Sequence, residues 1–316
     1  WEISVSGVPV KVKNFEWKTI FNWSKNNSMV ESLPEGIDKI QIGSGVYNVK
    51  SYAEVGKPYG AIYAKTFKRD AEGYILCQLD GSPKEGQDYE YLGCVQADWR
   101  GGWNNVFRLG NFSFSVMFDF QKGGKFFSQT SIQSSVDGQS VKSLEGRDAD
   151  FFSRKILGES DEERYGFMRP QNANTPTANG QIYPDWGRPK GVVLPNCRYD
   201  EDVEGLAGQQ VLGYCTPERY WMHYTSRDIS RFIYDASYVK LREITVSYDL
   251  PKKWLRKTPF QTFRVAAVGR NIATLFANTP HGLDPQATST TGNAQGFERG
   301  FNLPSATYGF DIKVSF

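Results

Sequence analysis

The long segment 131–236 contains the residues that are best suited to binding a ligand. Aromatic rings can stack on sugars, and an arginine can donate hydrogen bonds in a pocket that needs only a few placed polar groups. The segment offers Tyr183, Trp186, Arg188, Tyr220 and Trp221. We therefore predict that these five residues contact the substrate. The alternative, that they pack the segment itself or an interface with a partner protein, is the more common role for such residues.

No arrangement of residues in the sequence predicts catalysis. The two histidines, His223 and His281, have no nucleophile at a telling spacing, and there is no G-x-S-x-G motif. The acidic cluster from Asp200 to Glu204 could bind calcium through carboxylate oxygens. It lacks the D-x-D-x-D-G spacing, so a solvated loop is the favoured interpretation. The sequence therefore predicts neither an enzyme nor a cofactor or metal site.

The four cysteines, Cys77, Cys94, Cys197 and Cys215, fall into two pairs that are 17 and 18 residues apart. None lies near a histidine at a zinc-binding spacing. Disulfides that staple loops are plausible in an exported protein. Spacing does not determine connectivity, so four unpaired thiols stay an open alternative.

Composition narrows the class of protein. The 316 residues are 15% aromatic, and the mean hydropathy is −0.51. No apolar run approaches the ~18 residues of a membrane helix, but strands of a membrane barrel hide their signal in alternation. The net charge is +2, and no basic run alternates with aromatic residues. Nucleic acid is therefore not an expected partner.

Alternation of apolar and polar residues is the strongest structural signal. From Ala306 to Phe316 every second residue is aromatic or aliphatic, and the same period recurs over 15–24 and 112–121. A period of two predicts strands with one apolar face, and ~10 residues of strand cross a bilayer at a tilt. Typical strands of a soluble sandwich have only ~5–6 residues. Lipid contact is thus favoured over a soluble carbohydrate-binding sandwich, which stays an alternative.

Nine candidate strands follow from this reading: 1–7, 14–27, 44–54, 59–68, 100–109, 111–130, 237–249, 261–277 and 306–316. The connections between them alternate between short and long, which is the pattern of a membrane barrel with short periplasmic turns and long outer loops. Within 237–249 the apolar phase shifts, which either a β-bulge near Arg242 and Glu243 or a stretch of strand above the membrane would explain. The chain opens inside a strand without a signal peptide, so we expect a piece of a longer protein.

Six short stretches together resemble one family. They are Val55–Gly60 (VGKPYG), Gln96–Gly102 (QADWRGG), Phe118–Gly124 (FDFQKGG), Tyr234–Glu243 (YDASYVKLRE), Val268–Asn271 (VGRN) and Leu303–Ser305 (LPS). These are similar, in the same order, to motifs of the SusC/RagA family of TonB-dependent outer-membrane transporters. The resemblance spans nearly the whole chain and corresponds to roughly the C-terminal third of a family member.

The resemblance implies an all-β fold, an antiparallel transmembrane β-barrel of 22 strands with a plug inside its lumen. Residues 1–316 would then be the last nine strands, 131–236 a long outer loop, and the plug would lie outside this sequence. The implied activity is import of oligosaccharides or peptides across the cell outer membrane. The implied partners are the rest of the barrel and plug, outer-membrane lipid, a SusD-type surface lipoprotein and TonB.

Polar residues on the other face of the predicted strands have an expected role in this arrangement. Glu16, Lys18, Asp119 and Asp311 should line the lumen or contact the plug. An outer-membrane barrel enzyme is the remaining alternative, although no acid pair or nucleophile at the strand ends favours it.

Overall fold

The computed structural model describes residues 1–144, 192–215, 217–280, 282–287, 292, 295–300 and 305–316. Its strands in chain order are β1 (Glu2–Val12), β2 (Phe15–Ser24), β3 (Lys39–Ser44), β4 (Lys50–Glu54), β5 (Ala61–Ala64), β6 (Ile75–Cys77), β7 (Glu90–Cys94), β8 (Trp99–Leu109), β9 (Phe112–Lys122), β10 (Lys125–Ser128), β11 (Val192–Tyr199), β12 (Gln210–Cys215), β13 (Ile233–Asp235), β14 (Tyr238–Asp249), β15 (Thr262–Ala277), β16 (Phe297–Glu298) and β17 (Thr307–Ser315). The helices are α1 (Gln129–Val136), α2 (Pro217–Arg219), which continues as a π-helix (Tyr220–Tyr224), and α3 (Lys252–Leu255), with 3-10 turns at Val141–Leu144 and Ile229–Phe232.

Seven long strands form one antiparallel sheet, which we call the wall sheet. Its order is β1-β2-β8-β9-β14-β15-β17, so strands that follow one another along the chain are neighbours once the long connections are set aside. Each strand has 9 to 16 residues. That length suits a tilted crossing of a bilayer.

One face of the wall sheet is apolar across all seven strands. The register places Trp17 opposite Phe107, Phe107 opposite Phe114, and Phe114 opposite Val246. The rings of Trp17 and Phe107 stack at 5.9 Å, and those of Phe107 and Phe114 at 6.1 Å. The face is nevertheless open to its surroundings, since Phe310 is 91% exposed. An apolar face that described protein atoms leave uncovered argues against a sandwich, in which a second sheet would bury it.

The opposite face of the wall sheet is polar, as alternation predicted. Lys18, Asp119 and Asp311 all lie on this face, and Glu16 joins them opposite Arg108. A β-bulge at Arg242 shifts the phase of β14, because Leu241 pairs with Phe118 and Glu243 with Met117. The predicted bulge is therefore confirmed, and it explains how both halves of β14 keep their apolar residues on one face.

The two ends of the wall sheet differ in the length of their connections. At one end, which we call the turn end, strands join through residues 13–14, 110–111 and 250–261. At the other, the loop end, the connections are 25–98, 123–237 and 278–306. The long connections fold into three small sheets with the orders β3-β4-β5-β7, β12-β11-β6 and β13-β10-β16.

Two apolar cores hold the small sheets together. One packs Phe67, Cys77, Leu194 and Cys197 against the helical residues Tyr220 to Tyr224. The other lies between the four-stranded sheet, α1 and β10, with Ile62, Ile132 and Phe127 at its centre. These clusters give the long connections a folded structure of their own.

The predicted count of nine wall strands is corrected to seven in the described part of the chain. The segments 44–54 and 59–68 contribute β4 and β5, which are only five and four residues long and belong to the four-stranded sheet. The alternation of short and long connections survives because the two misassigned strands form one hairpin, and removing a hairpin preserves strand direction.

The segment 131–236 also contains strands that its sequence pattern did not indicate. β11, β12 and β13 lie within it, and β11 pairs with β6, more than a hundred residues away. The same segment contains helical turns at Pro217–Tyr224 and Ile229–Phe232. No helix among the described residues combines the length and the apolar character needed to cross a membrane.

Candidate functional site

The structure describes only two of the five residues predicted to contact substrate. Tyr183, Trp186 and Arg188 lie outside the described residues. Tyr220 and Trp221 are only 1% and 3% exposed, and their rings meet edge to face at 5.1 Å inside the first core. This position corresponds to the alternative weighed above, in which the aromatic residues pack the segment. Contact of Tyr220 or Trp221 with a substrate would require this core to open.

The structure groups the cysteines differently from the two pairs that their spacing in the sequence suggests. Cys77 in β6 and Cys197 in β11 lie on neighbouring parallel strands in the first core, with Cys215 in the same cluster. Cys94 lies in β7 of the four-stranded sheet, where Gln96 donates a backbone hydrogen bond to its sulfur at 3.2 Å. The hydrogen bond with Cys197, together with burial, raises the pKa of the Cys77 thiol, and burial raises that of Cys215.

Within the acidic cluster, Glu201, Asp202 and Glu204 are exposed as a solvated loop predicts, and only Asp200 departs from this expectation because it is buried in an ion-pair network. Asp200 is 3% exposed and accepts hydrogen bonds from Lys68 Nζ and Lys84 Nζ, each at 2.8 Å to Oδ2. Lys84 also contacts Asp202 at 2.5 Å. Among the described residues no group of three or more His, Cys, Asp or Glu side chains is arranged to hold a metal ion.

A polar cavity opens where the polar face of the wall sheet meets the small sheets. It has a volume of about 420 Å³, and its polar lining includes Arg100, Asp119, Gln121, Lys125 and Tyr238. Both signs of charge therefore face one space. Such a lining can hydrogen-bond a polar ligand through donors and acceptors together.

Alternation along β8, β9 and β14 positions the lining side chains. Arg100 lies opposite Gln121, and Gln121 opposite Tyr238, on the polar face of three adjacent strands. Arg100 Nε donates to Gln121 Oε1 at 3.0 Å. Gln121 Nε2 in turn donates to the carbonyl of Ala236 at 3.0 Å, where β14 is about to begin. This relay of cross-strand contacts fixes the orientation of the lining residues.

A second network ties the chain between β15 and β17 to the cavity. Asp119 accepts hydrogen bonds from Arg242 and, at 3.2 Å, from the hydroxyl of Tyr238. Gln286 Nε2 donates to the Tyr238 hydroxyl at 2.5 Å, and its Oε1 accepts from Arg242 at 2.7 Å. Gln286 therefore bridges two residues of β14 from the far side of the cavity.

Lys240 completes this network as a buried cation. Its side chain is 6% exposed and contacts Asp284 at 2.5 Å, and Gln286 Oε1 accepts from it at 3.0 Å. A buried charge is tolerated only when paired and hydrogen-bonded, so removal of either partner would leave the other charge without compensation. The lysine of the YDASYVKLRE motif thus has a structural position at the loop end.

Two further cavities adjoin the first and share Arg100 with it. One has a volume of about 270 Å³ and includes Ser24, Asn26 and Gln96 in its lining, and the other, of about 530 Å³, includes Glu2, Asn22 and Asp119. Arg100 lines all three. A guanidinium with this placement could contact a ligand in any of them.

Reasoning from the sequence did not single out Arg100, Gln121 or Tyr238. The signal was present in three places, since Arg100 lies in the QADWRGG motif, Gln121 in FDFQKGG and Tyr238 in YDASYVKLRE. Their convergence depends on strand register, which the motifs alone do not specify.

A curated TonB-dependent receptor is similar to nearly the whole of this chain. A TonB-dependent receptor P3 from Formosa agariphila is 22% identical over 330 residues, which cover 98% of this chain and 27% of that protein. The resemblance to SusC/RagA-type TonB-dependent transporters is confirmed. The chain spans about a quarter of the length of this curated relative, and no protein-family model matches it.

Solved structures of a transporter have the same fold as this chain. The RagAB peptide importer in its open-open state aligns with a TM-score of 0.53 at 15% identity, over 100% of this chain and 28% of that one. The closed-closed state aligns with 0.52 at 15% identity, over 99% and 29%, and a further RagAB peptide transporter structure with 0.51 at 14%, over 100% and 29%. The all-β barrel fragment is thereby confirmed, and these relatives are receptors and transporters, not enzymes.

Proposed function

We propose that this chain forms the C-terminal part of the wall of an outer-membrane, TonB-dependent importer. One observation carries the proposal: seven adjacent strands have one apolar face and one polar face, and the loop sheets among the described residues all lie at one end. An apolar face open on this scale is costly in water and stable against lipid.

The free edges of the wall sheet support assembly into a larger barrel. β1 and β17 are the outermost strands, and within the described part of the chain each has a partner on one side only. A bilayer provides no water to satisfy unpaired backbone groups, so both edges require further strands. In our proposal the rest of a 22-stranded barrel supplies them, and a plug domain fills the lumen beside the polar face.

The two ends of the sheet suggest its orientation in the membrane. Short turns face the periplasm and long loops the outside in bacterial barrels. The loop-end sheets would then lie outside the cell, where a SusD-type lipoprotein could cover them, and TonB would act on the plug from the turn end.

The cargo that we propose is a polar oligomer, either an oligosaccharide or a peptide. The cavity lined by Arg100, Asp119 and Gln121 supports this class, because its donors and acceptors suit hydroxyl or amide groups better than an apolar compound. RagAB, whose structures have the same fold, is a peptide importer, which favours peptides as the first cargo to test.

The test uses the complete protein in its native outer membrane. Uptake of labelled peptides and of labelled oligosaccharides is measured for the wild type and for Arg100→Gln, with Ser113→Ala as a control on the polar face near the turn end. We expect Arg100→Gln to reduce uptake of one cargo class at least tenfold while the control transports normally. Heat-modifiable migration on gels checks that each barrel has assembled.

Two outcomes would contradict the proposal. A protein that is stable without detergent and shows no heat-modifiable band would exclude the membrane barrel. Normal uptake by the Arg100 variant would exclude the cavity as part of the transport route, but it would not contradict the proposal that the chain forms a barrel wall.

A further inference from the structure

The turn end of the wall sheet carries an unusual concentration of positive charge. Its three connections, 13–14, 110–111 and 250–261, contain Lys13, Lys252, Lys253, Arg256 and Lys257 and no acidic residue. The whole chain, by contrast, is nearly balanced, with 37 basic and 35 acidic residues. The charge is thus a local property of this end.

The connection 250–261 presents its cations on an ordered scaffold, which we call the basic turn. The short helix α3 is held by the backbone hydrogen bond from Trp254 N to Pro251 O at 2.9 Å, and by Leu255, which is 7% exposed. Lys252, Lys253, Arg256 and Lys257 are all exposed. None of them forms an ion pair with a described residue, since the nearest acid in sequence, Asp249, is bound to Arg264.

Trp254 gives the basic turn a second feature that suits a lipid boundary. Its side chain is 59% exposed although it is large and apolar. The same connection also carries Phe260, whose ring lies 5.3 Å from that of Phe316 and 5.9 Å from that of Phe263 at the ends of two wall strands. Tryptophan is enriched at the boundary between hydrocarbon and headgroups, where its ring is in contact with both.

We propose that the basic turn binds the phosphate groups of anionic phospholipids in the leaflet at the turn end. The inference rests on the proposed membrane-spanning function. Cations just beyond an apolar band attract anionic headgroups, and each basic residue near such a surface strengthens binding by about fivefold. Trp254 would enter the headgroup layer, and the four cations would surround it with donors. An acidic protein partner could use the same charges, but it would not account for an exposed tryptophan among the four cations.

The test compares retained lipids on the complete protein purified in detergent. Mixed micelles contain equal amounts of phosphatidylglycerol and phosphatidylcholine, and native mass spectrometry counts the lipids bound to each barrel. The wild type should retain phosphatidylglycerol preferentially. In Lys252→Gln/Lys253→Gln the ratio of bound phosphatidylglycerol to bound phosphatidylcholine should fall roughly 20- to 30-fold. The control Lys18→Gln/Lys313→Gln removes the same charge from the polar face and should retain the preference.

Equal retention of the two lipids by the wild type, or an unchanged preference in the Lys252/Lys253 variant, would overturn the inference. Heat-modifiable migration of the wild type separates this failure from failure of the proposed function. A barrel that folds but shows no lipid preference contradicts only the lipid-binding proposal.

A second measurement does not depend on charge substitution. A photo-crosslinking amino acid in place of Trp254, introduced in living cells, should form adducts with phospholipid. Adducts with a protein and not with phospholipid would indicate that the basic turn binds an acidic protein partner, and they would refute the proposal.

Discussion

Replacement of Asp200 by asparagine should loosen the core of the loop-end sheets measurably. The carboxylate accepts hydrogen bonds from Lys68 Nζ, from Lys84 Nζ and from the backbone N–H of Glu201 at 2.9 Å. The Asp200 backbone also donates to the carbonyl of Cys77 at 3.0 Å, which joins the end of β11 to β6. Asparagine keeps the shape of the side chain but loses its charge, so both lysines lose their buried counter-ion.

The magnitude follows from the pKa of this carboxyl. Although burial alone would raise it, the hydrogen bonds from Lys68 and Lys84 prevail and lower the pKa of Asp200 from 3.8 to about 2. One pKa unit corresponds to ~1.4 kcal/mol, so the ionised form stabilises the fold by roughly 2.5 kcal/mol. Because the folded-state pKa lies below the unfolded-state value, this stabilisation is complete above about pH 4 and is lost as the pH falls towards 2.

Hydrogen exchange of the β11 amides, measured by mass spectrometry on the detergent-solubilised protein, is the assay. At pH 6, Asp200→Asn should accelerate exchange roughly 50- to 100-fold, and the difference from the wild type should shrink when both are compared near pH 3 after correction for intrinsic rates. Asp202→Asn is the matched control, since Asp202 shares Lys84 but its side chain is 71% exposed. Surface ion pairs contribute only ~0–1 kcal/mol, so the control should change exchange fivefold at most. Equal effects of the two variants would refute the assignment of stability to burial.

Three further substitutions probe close contacts in the fold. Gly213→Ala would place a methyl group 2.5 Å from the sulfur of Cys197, and we expect a loss of about 2 kcal/mol or more in the same exchange assay, with wild-type rates as the contrary result. Glu298→Gln removes the charge that Ser128 Oγ contacts at 2.6 Å, at a cost of ~1–3 kcal/mol; limited proteolysis should cut faster between β15 and β17, and unchanged cleavage would contradict this. Gly124→Ala introduces a side chain at φ +80°, 3.1 Å from a carbonyl oxygen, so less assembled barrel should be recovered on heat-modifiability gels than for the wild type.

The wall of the barrel could be predicted from the sequence because its cause is local. Each wall strand must separate lipid from a polar interior, so apolar and polar residues must alternate along it with a period of two. Phe112 to Phe120 and Tyr308 to Phe316 show that period without interruption. Even the bulge at Arg242 could be located, since a shift of phase within one strand is also visible in neighbouring residues.

The loop-end sheets could not be predicted in the same way. The sequence predicts wall strands at β4 and β5 because a short apolar segment has the same pattern in a small folded core and in a barrel. β11 went unrecognised because its parallel partner β6 lies far away in sequence, and pairing at that distance leaves no local pattern.

The amino-acid sequence is sufficient to assign the class of protein, which is an all-β chain with one apolar and one polar face and a resemblance to one transporter family. Tertiary structure alone decided which polar residues meet. Arg100, Gln121 and Tyr238 come from three strands and converge through register, and Tyr220 and Trp221 became core residues through packing. The physical reason is that alternation depends only on neighbours in the chain, whereas a cavity or a buried charge depends on contacts that only the folded chain creates.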